Sequence, residues 1–178
     1  MVPNRVRHRA ELASSAAMSD PIEDRVREVL ATTGVPHELL PCDPALADTA
    51  EYCAAYGWTL DRSANTIVVV GKSDPPRLVA CVVLATHRLD VNGVVRKRLG
   101  ARKASFAAAD DTMAATGMQI GGVTPFALPD ELEIWIDAEV TRRDQLILGG
   151  GSRSLKVLAK TYGANGTIIQ HVDKRGEY

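Results

Sequence analysis

The chain has 178 residues, of which 46% are apolar and 24% charged, and its formal net charge is −1. This length suits one domain with its own hydrophobic core, and the apolar content argues against disorder. The longest apolar run, residues 78–85, is far shorter than the roughly 20 residues that cross a bilayer. The balanced charge and the 4% aromatic content argue against a general nucleic-acid-binding surface, so a nucleic-acid partner must be met by a local patch or delivered by another protein.

Cysteine and histidine give no sign of a metal site. The three cysteines, Cys42, Cys53 and Cys81, are odd in number and lack C-x-x-C spacing, which is typical of buried, reduced thiols in a cytoplasmic protein. The four histidines are scattered along the chain. The two glycine-rich nucleotide-binding motifs, G-x-x-x-x-G-K-[ST] and G-x-G-x-x-G, are both missing from the sequence. We therefore expect no metal and no cofactor.

Capping signals divide the chain into a tail and a series of short helices. Residues 1–18 are rich first in arginine and then in alanine and serine, which predicts a flexible tail before a single domain over 19–178. Four helices are predicted, each closed by a glycine: from Asp20 to Gly34, from Asp48 to Gly57, over 93–99 before Gly100, and over 111–116 before Gly117. In the second helix we expect Ala50, Cys53 and Ala54 to face inward.

Apolar runs between these helices predict β-strands. Residues 66–70 and 78–85 are β-branched runs joined by a turn-rich connection, which indicates a hairpin of central strands. Residues 132–136 alternate, as in a half-buried strand, and 145–148 and 167–171 are further candidates. Hairpins interleaved with short helices predict an α+β fold with a mixed, mostly antiparallel sheet and short flanking helices.

Two segments, 117–126 and 148–154, contain more glycine than folding alone requires. Glycine leaves backbone N–H groups unshielded, and such groups can bind an anion or hold a carbonyl oxygen as it becomes an oxyanion. Two tight turns are the alternative, and the sequence leaves both open. Ser152 has no evident histidine and acid partners, so a serine nucleophile is disfavoured.

The order of the segments carries a resemblance. Along the chain come 63–69, 79–85, 94–100, 116–125 and 149–153, and the most specific of their motifs is G-x-x-x-P, seen as Gly121-Gly-Val-Thr-Pro125. This order resembles the YbaK/ProX family of aminoacyl-tRNA deacylases, editing domains related to the insertion domain of bacterial prolyl-tRNA synthetase. The resemblance covers roughly residues 21–172.

The resemblance implies that the protein hydrolyses the ester of a mischarged tRNA, with tRNA(Pro) as the leading substrate and an aminoacyl-tRNA synthetase as a further partner. It implies a cytoplasmic protein that uses neither DNA nor a membrane. A separate editing site is needed because one methylene gives only about 1–3 kcal/mol of discrimination. The implied site residues are Asn65 and Gly121 for catalysis; Thr66, Gly122, Thr124, Pro125, Gly149, Gly150, Gly151 and Arg153 for substrate binding; and Arg96, Lys97 and Arg98 for RNA binding. For these last three, a solvated helix face is the alternative.

One position departs from the family pattern. Asn65 stands where the family usually has a lysine, and a carboxamide supplies no positive charge. Catalysis would lose a charge-assisted interaction unless another cation replaces it. The candidate cations are Lys72, Lys97, Arg153 and Lys156, of which Arg153 is nearest to a glycine loop. The alternative function is a weakened or inactive module that binds aminoacyl-tRNA 3′ ends or a small amino-acid-like ligand.

Overall fold

The fold is built from two β-sheets and several short helices. In this computed structural model the structure describes residues 20–160 and 167–169, so the predicted tail and the end of the last predicted strand lie outside the described residues. The strands are β1 (His37–Pro41), β2 (Ala64–Gly71), β3 (Arg77–Leu84), β4 (Ala104–Phe106), β5 (Glu133–Asp137), β6 (Gln145–Gly149), β7 (Leu155–Lys160) and β8 (Thr167–Ile169). The helices are α1 (Pro21–Thr33), α2 (Thr49–Tyr56), α3 (Arg96–Arg98), α4 (Ala109–Thr116) and α5 (Ala138–Thr141).

The sheet topology confirms the predicted α+β class. One sheet has three strands in the order β1-β7-β6, and the other has five in the order β4-β2-β3-β5-β8. Four of the six strand pairings are antiparallel, while β3 with β5 and β5 with β8 are parallel. The predicted hairpin is β2–β3, and both of its strands are central.

Helix α1 packs against residues of both sheets. The Asp20 side chain accepts a hydrogen bond from the Ile22 amide at 3.0 Å, and Gly34 ends the helix in a left-handed conformation, as the capping signals predict. Val26 and Leu30 on its inner face are buried in a core cluster that contains apolar residues of both sheets. The main core therefore lies between the sheets and under α1.

Two other helices differ in detail from the prediction. In α2 the buried residues are Tyr52 and Cys53, so the expectation that Ala50 and Ala54 face inward is wrong. A tyrosine ring buries far more apolar area than an alanine methyl. The predicted third helix is a π-helical turn, Val91–Val95, that continues into α3.

The fifth strand also differs from the prediction. The alternation predicts a strand with one exposed face, but in β5 both Trp135 and Ile136 are buried. The strand pairs with β3 on one side and β8 on the other, and Trp135 belongs to an apolar cluster that also contains Val79 and Val95. All three cysteines are buried and free, as expected. No helix in the described ranges has the length and apolarity to cross a membrane.

Replacement of Leu30 tests the part that α1 plays in the core. Leu30→Ala should lower the free energy of unfolding by about 2–5 kcal/mol, because it opens a cavity between the helix and the sheets. Glu28→Ala, at an exposed position of the same helix, should change it by less than about 0.5 kcal/mol. Urea unfolding measures both; equal effects would contradict the packing described here.

Candidate active site at the open edge of strand β2

A cavity of about 330 Å³ lies along an unpaired stretch of β2. Ser63, the residue before β2, is bridged to Ile147 of β6, and the same edge of β2 pairs with β4 only from Val69 onward. Between these contacts the Val68 carbonyl accepts a hydrogen bond from the Ala107 amide at 2.9 Å. Alternate residues of an antiparallel strand direct their backbone polar groups to the same side. The N–H and C=O of Thr66 therefore point into the gap.

The cavity brings together some of the predicted site residues. Asn65, Thr66, Gly121 and Gly149 line it, whereas Gly122, Thr124, Pro125, Gly150, Gly151 and Arg153 are not among its lining residues. Of the candidate cations, Lys156 lies in its wall. The wall also contains residues that the sequence does not point to: Asp48, Thr49, Tyr52, Ile67, Phe106, Thr112, Ile120 and Val123.

The Asn65 carboxamide is held in place by α2. The Thr49 hydroxyl donates to Asn65 Oδ1 at 2.6 Å. With its oxygen engaged, Asn65 has its amide N–H groups left to donate. The residue thus presents hydrogen-bond donors without charge beside the open backbone of Thr66.

The loop over 117–126 contributes fewer free donors than the sequence suggests. The Gly122 amide donates to the Gln119 carbonyl at 2.9 Å, and the Thr124 amide donates to Met118 Sδ at 3.4 Å. The amides of Gly121 and Val123 have no acceptor within the described ranges, and both residues line the cavity. The Ile120 amide likewise has no acceptor within the described ranges, and Ile120 lines the cavity. These N–H groups are the candidates to hold a substrate oxygen.

The second glycine loop supports the first. The Gly151 amide donates to the Gly122 carbonyl at 2.7 Å, and the Gln119 amide donates to the Gly151 carbonyl at 2.9 Å. A Cβ on Gly122 would lie 2.2 Å from the Ser152 carbonyl oxygen, and one on Gly149 would lie 2.4 Å from two carbonyl oxygens. Glycine is required at both positions because the two backbones pack directly against each other.

Lys156 is the cation of the cavity. It lies inside β7 with 4% of its surface exposed, and its ammonium group donates to the Gly121 carbonyl at 2.9 Å and to the Ala47 carbonyl. The Nζ atom also lies 5.5 Å from the centre of the Tyr52 ring. Burial lowers the pKa of Lys156, Arg153 lowers it further, and Cys42 and Asp48 oppose this shift.

Arg153 holds the surroundings of the cavity together. Its guanidinium donates to the carbonyls of Pro44 at 2.8 Å and Ile120 at 3.1 Å, and lies 3.2 Å from the Asp48 carboxylate. The position of a Cβ on Gly121, whose φ is +87°, would be 2.4 Å from Arg153 Nη1. Arg153 therefore braces the Gly121 loop from outside, and the cation in the cavity wall is Lys156.

The remaining predicted residues lie elsewhere. Pro125 lines a separate cavity of about 30 Å³, and Thr124 is fully buried. Arg98 lies over the Trp135 ring at 5.1 Å, and Arg96 Nε donates to the Asn92 carbonyl at 2.7 Å. Arg96, Lys97 and Arg98 do not line the main cavity. Within the described ranges, no group of three or more His, Cys, Asp or Glu side chains is placed to hold a metal ion.

Comparison with known proteins identifies the family. The profile of the aminoacyl-tRNA editing domain matches residues 43–161, more than half of the chain. The chain belongs to the aminoacyl-tRNA editing domain family. The matched segment contains every residue named above as lining the cavity.

Solved structures of low sequence identity share the fold. The hypothetical protein APE2540 has a TM-score of 0.75 and 23% identity, over 84% of this chain and 99% of that one. A proposed trans-editing enzyme for prolyl-tRNA synthetase has a TM-score of 0.71 and 19% identity, over 86% of this chain and 98% of its own. A scaffold protein from computational epitope grafting has a TM-score of 0.70 and 19% identity, over 85% and 97%.

The lowered pKa of Lys156 predicts a distinctive pH dependence of stability. Between that pKa and the ordinary value of 10.5, the unfolded chain binds the proton of Lys156 and the folded chain does not, so Lys156 contributes a free energy of unfolding that rises with pH. The raised pKa values of the buried Cys42 and Cys81 thiols contribute in the opposite direction, so the slopes of variants are compared with that of the wild type. Lys156→Met should make the slope less positive than in the wild type, whereas Lys160→Met, at the exposed end of the same strand, should keep the wild-type slope. Urea unfolding from neutral pH to just above 10.5 measures the slopes; a wild-type slope in Lys156→Met would contradict the buried ammonium.

Proposed function

We propose that the protein hydrolyses the ester between a wrongly attached amino acid and the 3′ end of its tRNA, with tRNA(Pro) as the leading substrate. The observation that carries the proposal is the single cavity shared by unpaired backbone amides, the Asn65 carboxamide and the Lys156 ammonium. Membership of the editing-domain family supports the reaction class. The likeness to a proposed trans-editing enzyme for prolyl-tRNA synthetase supports the choice of tRNA.

In this reaction the acyl group enters the cavity with its carbonyl oxygen directed to the amides of Gly121 and Val123. A water molecule attacks the carbonyl carbon, and the charge that develops on the carbonyl oxygen is stabilised by these two N–H groups. The bond to the ribose oxygen then breaks, that oxygen takes up a proton from the attacking water, and the free amino acid leaves. One donor of this kind contributes about 10²–10³-fold to the rate.

Lys156 supplies the positive charge that Asn65 lacks. With an effective dielectric constant of 20, a unit charge about 4 Å from a developing oxyanion stabilises it by about 4 kcal/mol. Two of the three ammonium protons are used by the carbonyls of Ala47 and Gly121, which leaves one for the substrate. Asn65 has a complementary part, since its amide protons suit a ribose hydroxyl.

The cavity volume suits a small acyl group. About 330 Å³ is at the lower end of the range for small-molecule sites. Apolar side chains such as Ile67 and Val123 lie beside the polar groups in its wall. Such a site fits an amino acid of the size of alanine, cysteine or serine together with its ribose. An activity on charged tRNA belongs to the cytoplasm, where translation takes place, and a synthetase that makes the error is the natural partner.

A binding module without hydrolysis is the second candidate, favoured by the substitution of Asn65 for the family lysine and by the lowered pKa of Lys156. A neutral amine at position 156 would leave the cavity wall without a positive charge. If the protein is a binding module, a nonhydrolysable aminoacyl-adenosine analogue should bind to it, and no mischarged tRNA should be hydrolysed.

A deacylation panel tests the proposal. tRNA(Pro) charged with alanine, cysteine or serine should lose its amino acid faster than the uncatalysed background, for at least one of the three. Gly121→Val should abolish this activity, because the new side chain meets Arg153 and strains a backbone at φ +87°. Asn65→Ala should reduce kcat/KM by about tenfold, the value of one hydrogen bond of 1–1.5 kcal/mol.

Leu60→Ala is the matched control, since Leu60 is 40% exposed and outside the cavity, and it should keep wild-type activity. A complete panel of mischarged tRNAs with no hydrolysis above background would overturn the proposal. Binding of the adenosine analogue in that case would favour the binding module.

A further inference from the structure

We propose that the base of the last nucleotide of the tRNA 3′ strand stacks on Phe106 at the rim of the cavity. This inference rests on the proposed function and assigns a nucleobase subsite to it. In the described ranges four large apolar side chains are notably exposed, namely Leu60, Phe106, Met113 and Ile120. Two of these, Phe106 and Ile120, line the main cavity, and Phe106 is the most exposed at 59%.

Phe106 lies on the strand next to β2, the strand that carries Asn65. Phe106 is the last residue of β4 and pairs with Val69 of β2. Side chains alternate along a strand, so Asn65, Ile67 and Val69 share one face of the sheet with Phe106. Val69, the partner of Phe106, follows Asn65 by four residues along β2, which is about 13 Å at 3.3 Å per residue. A ribose that carries an acyl group on one side and a base on the other extends along this direction.

The chemistry of an exposed phenyl ring suits an unpaired base. The base of the terminal nucleotide has no neighbour on its 3′ side, and such unpaired bases are commonly stacked on aromatic side chains. Stacking tolerates any base, because each has a π-face. Ile120, on the Gly121 loop, gives the rim a second apolar side chain. A site that bound only a small polar acyl group would not require exposed apolar side chains such as Phe106 and Ile120 at its rim.

Positive charge at the other end of β4 suits the phosphates that precede this nucleotide. Lys72, Arg102 and Lys103 are all exposed, and the Lys72 amide donates to the Lys103 carbonyl at 2.8 Å, which places the two residues side by side. Lys103 precedes Phe106 by three residues, about 10 Å along an extended chain. An RNA strand whose last base lies on Phe106 can thus pass over Lys72 and Lys103. Neutralisation of phosphates by such basic side chains is the usual source of a protein's affinity for nucleic acid.

A binding experiment with uncharged RNA tests the subsite without hydrolysis. The probes are a fluorescently labelled ACCA tetranucleotide and the same oligonucleotide with an abasic 3′ position. Phe106→Ala should weaken ACCA binding by about 5- to 100-fold, and Phe106→Trp should retain it. Met113→Ala is the matched control, because Met113 is 40% exposed and does not line the cavity; it should bind like the wild type.

The abasic probe shows whether the effect comes from the base. It should bind the wild-type protein as weakly as ACCA binds Phe106→Ala, and Phe106→Ala should weaken its binding no further. Wild-type affinity of Phe106→Ala for ACCA would overturn the proposal, as would an equal loss for both probes. A change only in discrimination among alanyl, cysteinyl and seryl substrates would also overturn it, since Phe106 would then contact the acyl group.

The two proposals can fail separately. If mischarged tRNA is hydrolysed and Phe106→Ala leaves its KM unchanged, the base subsite is wrong and the proposed function stands. If the oligonucleotides behave as predicted and no mischarged tRNA is hydrolysed, the base subsite stands and the enzymatic proposal falls.

Discussion

The contact between the Lys156 ammonium and the carbonyls of Gly121 and Ala47 is the interaction on which the candidate site depends. A charged group that is 4% exposed is costly to bury, and these carbonyls and the Tyr52 ring compensate part of that cost. The contact fixes the peptide group that follows Gly121, and it links the loop over 117–126 to β7. The same ammonium group therefore holds the Gly121 carbonyl and provides the cavity with its positive charge.

The glycine loops form a second constraint, because each occupies the space that a side chain on the other would need. Gly122 and Gly149 allow backbone contact at distances that exclude a Cβ, and Arg153 braces the outer side through Asp48 and two carbonyls. Two backbone hydrogen bonds join the loops, from the Gly151 amide to the Gly122 carbonyl and from the Gln119 amide to the Gly151 carbonyl. The amides of Gly121 and Val123 have no acceptor in the described ranges, and both residues line the cavity.

Local signals were sufficient for much of the fold and part of the site. The cap at Asp20, the terminal glycines and the hairpin could be predicted because caps and β-branched runs act over a few residues. β7 could not, because its sequence Leu-Lys-Val-Leu-Ala-Lys does not alternate as a half-buried strand does. Lys156 is named in the sequence analysis only as one of several cations, because its burial depends on α2 and the Gly121 loop, which are distant in sequence. Arg153 is adjacent to a glycine loop in the chain, yet its guanidinium is directed outward to Pro44 and Asp48.

Single-turnover hydrolysis of mischarged tRNA(Pro) by Lys156→Met is the most direct test of this account. Loss of the ammonium should reduce the chemical rate by about 10²–10³-fold, while Lys160→Met in the same strand keeps the wild-type rate. Adding Asn65→Lys to Lys156→Met, which returns a positive charge to the wall of the cavity, should recover at least tenfold of this rate. Hydrolysis by Lys156→Met at the wild-type rate would contradict the assignment of the buried ammonium to the reaction.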